Sequence, residues 1–146
     1  PVFPYLDDWL IKARSPPLVP QCLQRTYHLL HTLGFSLNYL KSHLEPFQRL
    51  QYIGALLDTS DGKAYPPPQR VQDILAMVLM FQPGARIQVR NVLRLLGLMA
   101  SCILLVPNTR WHMRSLQWCL RRQQAQHNGE LNAWVTIYKG VVTELS

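Results

Sequence analysis

Two adjacent aspartates between short apolar runs constrain this chain most, in the stretch Pro1-Val2-Phe3-Pro4-Tyr5-Leu6-Asp7-Asp8-Trp9-Leu10-Ile11. Residues 2–5 and 9–11 are aromatic and β-branched, bounded by Pro on one side and Arg14-Ser15-Pro16-Pro17 on the other, and so predict a β-hairpin whose turn falls on Asp7 and Asp8. Two like charges held that close repel each other and raise one pKa. A divalent cation between them removes the repulsion and suits hard oxygen ligands. Phosphoryl transfer by two metal ions needs such carboxylates. The plainer alternative is a solvated Asp-rich turn, since Asp is a favoured turn residue.

The chain is 146 residues long, enough for one core or for two small subdomains sharing one. Hydrophobic residues at 48% against 16% charged argue for folding rather than disorder. It opens on Pro1, with no initiator Met and no basic-then-apolar leader, and so reads as a fragment or processed piece. The longest apolar stretch, residues 95–106, is too short to span a bilayer, and no membrane partner is expected. Cys22, Cys102 and Cys119 are odd in number, far apart and without a CxxC pair, which disfavours a disulfide framework or a zinc ribbon. A reducing intracellular setting, cytoplasmic or nuclear, is the expectation. The formal charge of +7 is uneven: residues 1–64 carry six Lys/Arg against five Asp/Glu, and residues 65–146 carry nine against three. The later half is the expected nucleic-acid surface.

Along the chain, Ser15-Pro16-Pro17 supplies a cap and start for a helix in which Val19, Leu23, Tyr27, Leu30 and Leu33 form the apolar stripe and Gly34 the stop. Residues 35–65 read as extended and interrupted, with strand-like Leu50, Tyr52 and residues 53–57 and a hairpin turn at Ser60-Asp61-Gly62-Lys63. With residues 1–12 they are expected to form one small antiparallel sheet under the helix. Pro66-Pro67-Pro68 is the sharpest composition break, and an all-helical segment is expected beyond it. Its first helix carries Val71, Ile74, Leu75, Val78 and Phe81 and ends at Pro83-Gly84; a second spans residues 87–104, and a third residues 109–126 before Asn128-Gly129. The tail, with Trp134, Val135, Ile137, Val141 and Val142, reads as strand. The expected fold class is α+β, with residues 1–65, 66–127 and 128–146 as successive parts.

Arg86, Arg90 and Arg94 lie four apart and are expected on one face of the second helix, while Val92, Leu93, Leu96 and Met99 bury another. With Arg110, Arg114, Arg121 and Arg122 they make seven arginines between residues 86 and 122, a span without Asp or Glu. Such density favours phosphate through counterion release, although three arginines alone also describe an ordinary solvated helix face. The five histidines show no metal-ligand spacing with the cysteines or with one another, and neither a glycine-rich phosphate loop nor a Ser-His-Asp order is present.

Tyr5-Leu6-Asp7-Asp8-Trp9-Leu10-Ile11, then Leu33-Gly34-Phe35-Ser36-Leu37-Asn38-Tyr39-Leu40-Lys41-Ser42, then Leu50-Gln51-Tyr52-Ile53-Gly54-Ala55-Leu56-Leu57-Asp58, resemble in order and spacing successive motifs of reverse transcriptases. Leu95-Leu96-Gly97-Leu98-Met99-Ala100-Ser101 and His112-Met113-Arg114-Ser115-Leu116-Gln117 resemble the DIRS-type (tyrosine-recombinase) group of retrotransposons in particular. The resemblance covers about residues 1–122. It implies the carboxy-terminal part of a polymerase palm over residues 1–65, built from the YxDD hairpin, a primer-grip hairpin and a packed helix. A helical thumb over residues 66–127 follows, with residues 128–146 as a tail or the start of a connection or RNase H region.

The resemblance also implies roles. Asp7 and Asp8 are metal ligands for two Mg2+ (or Mn2+) ions in the complete enzyme, and Tyr5 and Leu6 lie beside the primer terminus or incoming deoxynucleotide. Lys41 matches the family lysine that protonates the departing pyrophosphate. Tyr52, Ile53 and Gly54 match the primer grip, where a small residue admits close backbone approach, although a glycine at a bulge reads the same way. Arg86, Arg90, Arg94, Arg110 and Arg114 face the backbone of an RNA/DNA primer–template duplex. The further metal-binding aspartate and the fingers belong to the remainder of the polymerase upstream of Pro1, so the isolated chain is expected to be inactive. Two other readings stand beside this one: a non-catalytic nucleic-acid-binding remnant, and a helical protein-interaction module.

Overall fold

The computed structural model describes residues 1–124 and 130–145, a mixed α and β chain with small antiparallel sheets. It divides into two compact units, the first made of Pro1–Ile53 with Leu57–Lys63 and the second of Gly54–Leu56 with Ala64–Ser146.

In the first unit β1 (Val2–Tyr5) pairs antiparallel with β2 (Asp8–Ile11), Val2 opposite Ile11 and Tyr5 opposite Asp8. Helix α1 (Leu18–Thr32) packs against β2. No side chain caps α1; Ser15 contributes its carbonyl, which accepts from the Leu18 N–H at 3.1 Å, rather than the hydroxyl expected from sequence. Gly34, at φ +79°, ends the helix as a residue without Cβ can, but Leu33 just before it is exposed rather than part of the buried stripe. β3 (Arg49–Tyr52), β4 (Ala55–Asp58) and β5 (Lys63–Tyr65) form a three-stranded sheet. The single sheet expected from residues 1–12 and 50–65 is therefore two separate sheets. Little of this unit is fully buried: among its described hydrophobic side chains only Leu30 is, while Phe3, Trp9, Phe35, Tyr39 and Phe47 remain substantially exposed.

The second unit holds the core. It comprises α2 (Pro68–Val78), β6 (Arg86–Gln88), α3 (Val89–Ala100), α4 (Thr109–His112), α5 (Arg114–Gln124), β7 (Trp134–Thr136) and α6 (Lys139–Leu145). Pro68 starts α2 where its missing N–H costs nothing. Five residues of α3, Val89, Val92, Leu95, Leu96 and Met99, recur at helical spacing and are all buried, joined by Leu116 and Cys119 of α5. Leu93, expected on that face, is 39% exposed. Val71 and Leu75 of α2 are likewise exposed, while Phe81, beyond the end of α2, is 1% exposed.

The expectation of an all-helical segment after the triple proline is corrected by β6. Residues 86–90 alternate Arg-Ile-Gln-Val-Arg, and Ile87 and Val89 point into the core while Arg86 and Arg90 face solvent. Their partner lies about fifty residues on: Ile87 sits opposite Val135, and Gly84 donates its N–H to Ile137 O at 2.8 Å. The helix starts at Val89, so Arg86 is a strand residue and only Arg90 and Arg94 of the expected triplet share a helix. The third expected helix is two, α4 and α5, separated at buried Met113; its predicted end near residue 126 and the Asn128-Gly129 stop lie outside the described residues.

The tail is not the all-strand segment expected. β7 pairs with β6, Val135 and Ile137 are core, and Val141 and Val142 lie on α6. Gln123 of α5 secures the outer side of β7, accepting from the Thr136 N–H at 2.8 Å and donating from Nε2 to Thr136 O at 2.9 Å, so a side-chain amide stands in for a neighbouring strand.

Two substitutions measure this division between core and surface. Leu95→Ala removes a side chain that is fully enclosed and is expected to cost about 2–5 kcal/mol in urea unfolding. Leu104→Ser, at a position 95% exposed, is expected to stay within about 0.5 kcal/mol of the parent.

Candidate functional site

The two-residue turn between β1 and β2 consists of Leu6 and Asp7, with Asp8 already in the strand opposite Tyr5. The turn thus lies one residue earlier than the sequence suggested. The reason is register: pairing Val2 with Ile11 leaves only residues 6 and 7 unpaired. Leu6 takes φ +48°, a left-handed conformation that side chains with a Cβ resist by roughly 1–2 kcal/mol, and is 84% exposed. Positive φ at the first central residue alone is the pattern of a type II′ turn, which matches the twist of a hairpin. Trp9 restrains the tip by donating from Nε1 to Leu6 O at 3.2 Å, and its ring meets Phe35 edge-on with centroids 6.3 Å apart. Asp7 and Asp8 are both exposed, and neither enters a salt bridge among the described residues.

Tyr52, from β3, reaches this hairpin. Its hydroxyl donates to Phe3 O at 2.8 Å, with Asp8 O a further acceptor at 3.4 Å, so two motifs 44 residues apart are joined by a side chain without strand pairing. The next two residues, Ile53 at φ +46° and Gly54 at φ +71°, make the turn into β4, both positive as a type I′ turn requires. The close approach that Gly54 permits is by Arg70 of α2: a Cβ here would lie 3.1 Å from Nη2, and Nη1 donates to Gly54 O at 2.8 Å. Ile53 is 47% exposed at the tip.

At the other end of β4, the Ser60 hydroxyl and backbone N–H both donate to Asp58, and Arg49 lies 3.8 Å away. Those hydrogen bonds first, and the guanidinium after them, hold the Asp58 carboxyl below its ordinary range. Asp58 is thus committed to its own turn.

Lys41 lies in an exposed turn, its backbone N–H donating to Asn38 O and Asn38 Oδ1, both at 3.2 Å. Arg86, Arg90, Arg94, Arg110 and Arg114 are all exposed. No group of three or more His, Cys, Asp or Glu side chains gathers as a metal site among the described residues, so the hairpin offers two carboxylates and no third. Two suffice for a hard cation that keeps waters and binds substrate phosphates, because Mg2+ is commonly held through one or two carboxylates. Among the described residues no helix is long and apolar enough to cross a membrane.

Sequence reasoning missed a groove of about 900 Å3 in the second unit, lined in part by Trp111, Arg114, Trp118, Arg122 and Tyr138. Trp111 is 73% exposed, and the Arg121 guanidinium lies 5.8 Å from the centroid of the Trp118 ring. The signal available was Arg114, Trp118 and Arg122 at successive spacings of four. Arg70 had no comparable signal, since its target is a carbonyl on another element.

No family model, curated protein or solved structure matches this chain.

Tyr52→Phe removes the hydroxyl while keeping the ring and is expected to cost about 1 kcal/mol, read as faster amide exchange across β1 and β2 with the second unit's amides unchanged. A depressed folded-state pKa makes Asp58 stabilising above its unfolded value of about 3.9, and that contribution is lost as pH falls through the lower folded value. Asp58→Asn is therefore expected to lower stability near neutral pH and to flatten the acid limb of a melting-temperature profile.

Proposed function

We propose that the chain is the carboxy-terminal palm and thumb portion of a retroelement reverse transcriptase, supplying two of the metal-binding carboxylates for RNA-directed DNA synthesis. The observation that carries this reading is the Tyr5-Leu6-Asp7-Asp8 hairpin, with two adjacent exposed carboxylates at a restrained tip and, among the described residues, no ion pair on either. Tyr52 at that hairpin supports it further, because the two motifs that the resemblance assigns to primer and metal meet there. Asp7 and Asp8 would hold Mg2+ or Mn2+. The bound ions supply charge neutralisation at the transferring phosphoryl group. The chain's own part is to fix the carboxylates at a tight turn, with Leu6 and Tyr5 beside them to bear on a primer terminus or nucleotide. Two-metal transfer calls for a further carboxylate beside this pair, and none gathers with Asp7 and Asp8 among the described residues, so the chain alone is expected not to extend a primer.

A second reading, nucleic-acid binding without catalysis, is favoured by the acid-free arginine segment, where Arg90 and Arg94 stand on α3 away from its buried face.

Manganese titration followed by electron paramagnetic resonance tests the first reading. The parent chain is expected to bind weakly, at about millimolar concentration, and Asp7→Asn with Asp8→Asn to abolish the binding while circular dichroism stays unchanged. Equal binding by parent and variant would refute the metal assignment. Primer extension with magnesium on a homopolymer template is expected to be absent, and extension that Asp7→Asn abolishes would show the chain to be sufficient.

A further inference from the structure

The groove on the second unit joins flat aromatic surface to positive charge. Arg114, Trp118 and Arg122 follow one another at intervals of four along α5, about 6 Å of helix rise each, so cation, ring and cation form one stripe. Trp111 from α4 and Tyr138 from the segment after β7 flank it. The three rings are 73%, 54% and 55% exposed for Trp111, Trp118 and Tyr138, an expensive arrangement for large apolar side chains on a free surface. Their neighbours decide the chemistry of the occupant. From residue 74 to residue 129 the sequence has no Asp or Glu, while Arg114 and Arg122 line the groove and the Arg121 guanidinium lies near the Trp118 ring.

Apolar peptide would match the rings and leave the guanidiniums desolvated. Duplex nucleic acid would match the guanidiniums and leave the rings idle, because its base faces are stacked on one another. Single-stranded nucleic acid presents both an unpaired anionic backbone and open base faces, and aromatic platforms interleaved with arginine are how such strands are held without sequence preference.

We propose that this groove binds single-stranded nucleic acid, the bases stacking on Trp118 and Trp111 and the phosphates meeting Arg114, Arg121 and Arg122. This goes beyond the polymerase reading and does not depend on metal binding at Asp7 and Asp8. Tyr138 and the α6 residues Gly140 and Val141 line the groove, so this later part of the chain belongs to the binding surface.

Fluorescence anisotropy with a labelled twelve-nucleotide oligothymidylate and the full chain tests it, with tryptophan quenching as a second readout. Expected are preference for this strand over a duplex of equal length, quenching on binding, and a salt slope of about −2 for three phosphate contacts on a single strand. Trp118→Ala is expected to weaken binding about tenfold, and Trp118→Phe to restore most of it. Arg122→Glu, an exposed substitution, serves if the alanine variant loses its circular dichroism signature, and is expected to weaken binding at low salt. Unchanged affinity in folded Trp118→Ala, or in Arg122→Glu, overturns the proposal. So does equal or tighter duplex binding, or displacement of the strand by polyglutamate as readily as by unlabelled oligonucleotide. The Asp7→Asn, Asp8→Asn variant is expected to bind the strand like the parent, which separates failure here from failure of the metal reading.

Discussion

The pairing of β6 with β7 is the interaction on which the second unit depends. It joins residues 86–88 to residues 134–136 and so sets Val135 and Ile137 into the core that also holds the buried face of α3. Without it, Val135 and Ile137 would not be held in the cluster that covers the apolar face of α3, and β7 would be an unpaired strand. Gln123 closes the remaining side of β7, which is why a two-stranded ribbon, marginal by itself, persists in this unit. The same pairing carries Tyr138 to the groove beside α5.

The first unit is built on a different balance. Its helix and hairpin leave most of their large apolar side chains partly exposed, and its specific order comes from single polar contacts such as Tyr52 to Phe3 and Trp9 to Leu6. Individual hydrogen bonds of this kind contribute about 1 kcal/mol each. A segment so held opens locally more easily than a packed core. Exposed aromatic surface of this extent is the kind that covering partners bury. Leu6 at positive φ belongs to this picture: strain is retained at a tip where the neighbouring carboxylates are presented.

How much of this was legible in the residues varied with how local its cause was. The hairpin at residues 2–11 could be read because aromatic and β-branched runs favour strands wherever they sit. Its turn could not be placed to the residue, because leucine carries no turn signal and only the cross-strand register excludes Asp8 from the turn. The helix from Leu18 and the turn at Gly62 followed from periodicity and from glycine's freedom at positive φ. Arg86 was misplaced because its spacing to Arg90 fits a helix as well as the alternation of residues 86–90 fits a strand, and the deciding partner is remote. Val141 and Val142 were misread for a related reason, since β-branched pairs favour strands until burial against a helical core overrides the preference.

Sequence alone determined that the chain would fold, that it would mix helices with short strands, and that acid would gather at one tip while positive charge filled the later half. Those properties reside in composition and in patterns a few residues long. Tertiary structure alone decided which strands meet, which side chains are enclosed, that Tyr52 anchors the acidic hairpin, and that Trp111, Trp118 and Tyr138 share one groove. Each of these pairs or groups brings together positions up to about fifty residues apart, and the energy that selects such a contact comes from burial in three dimensions, which no local pattern encodes.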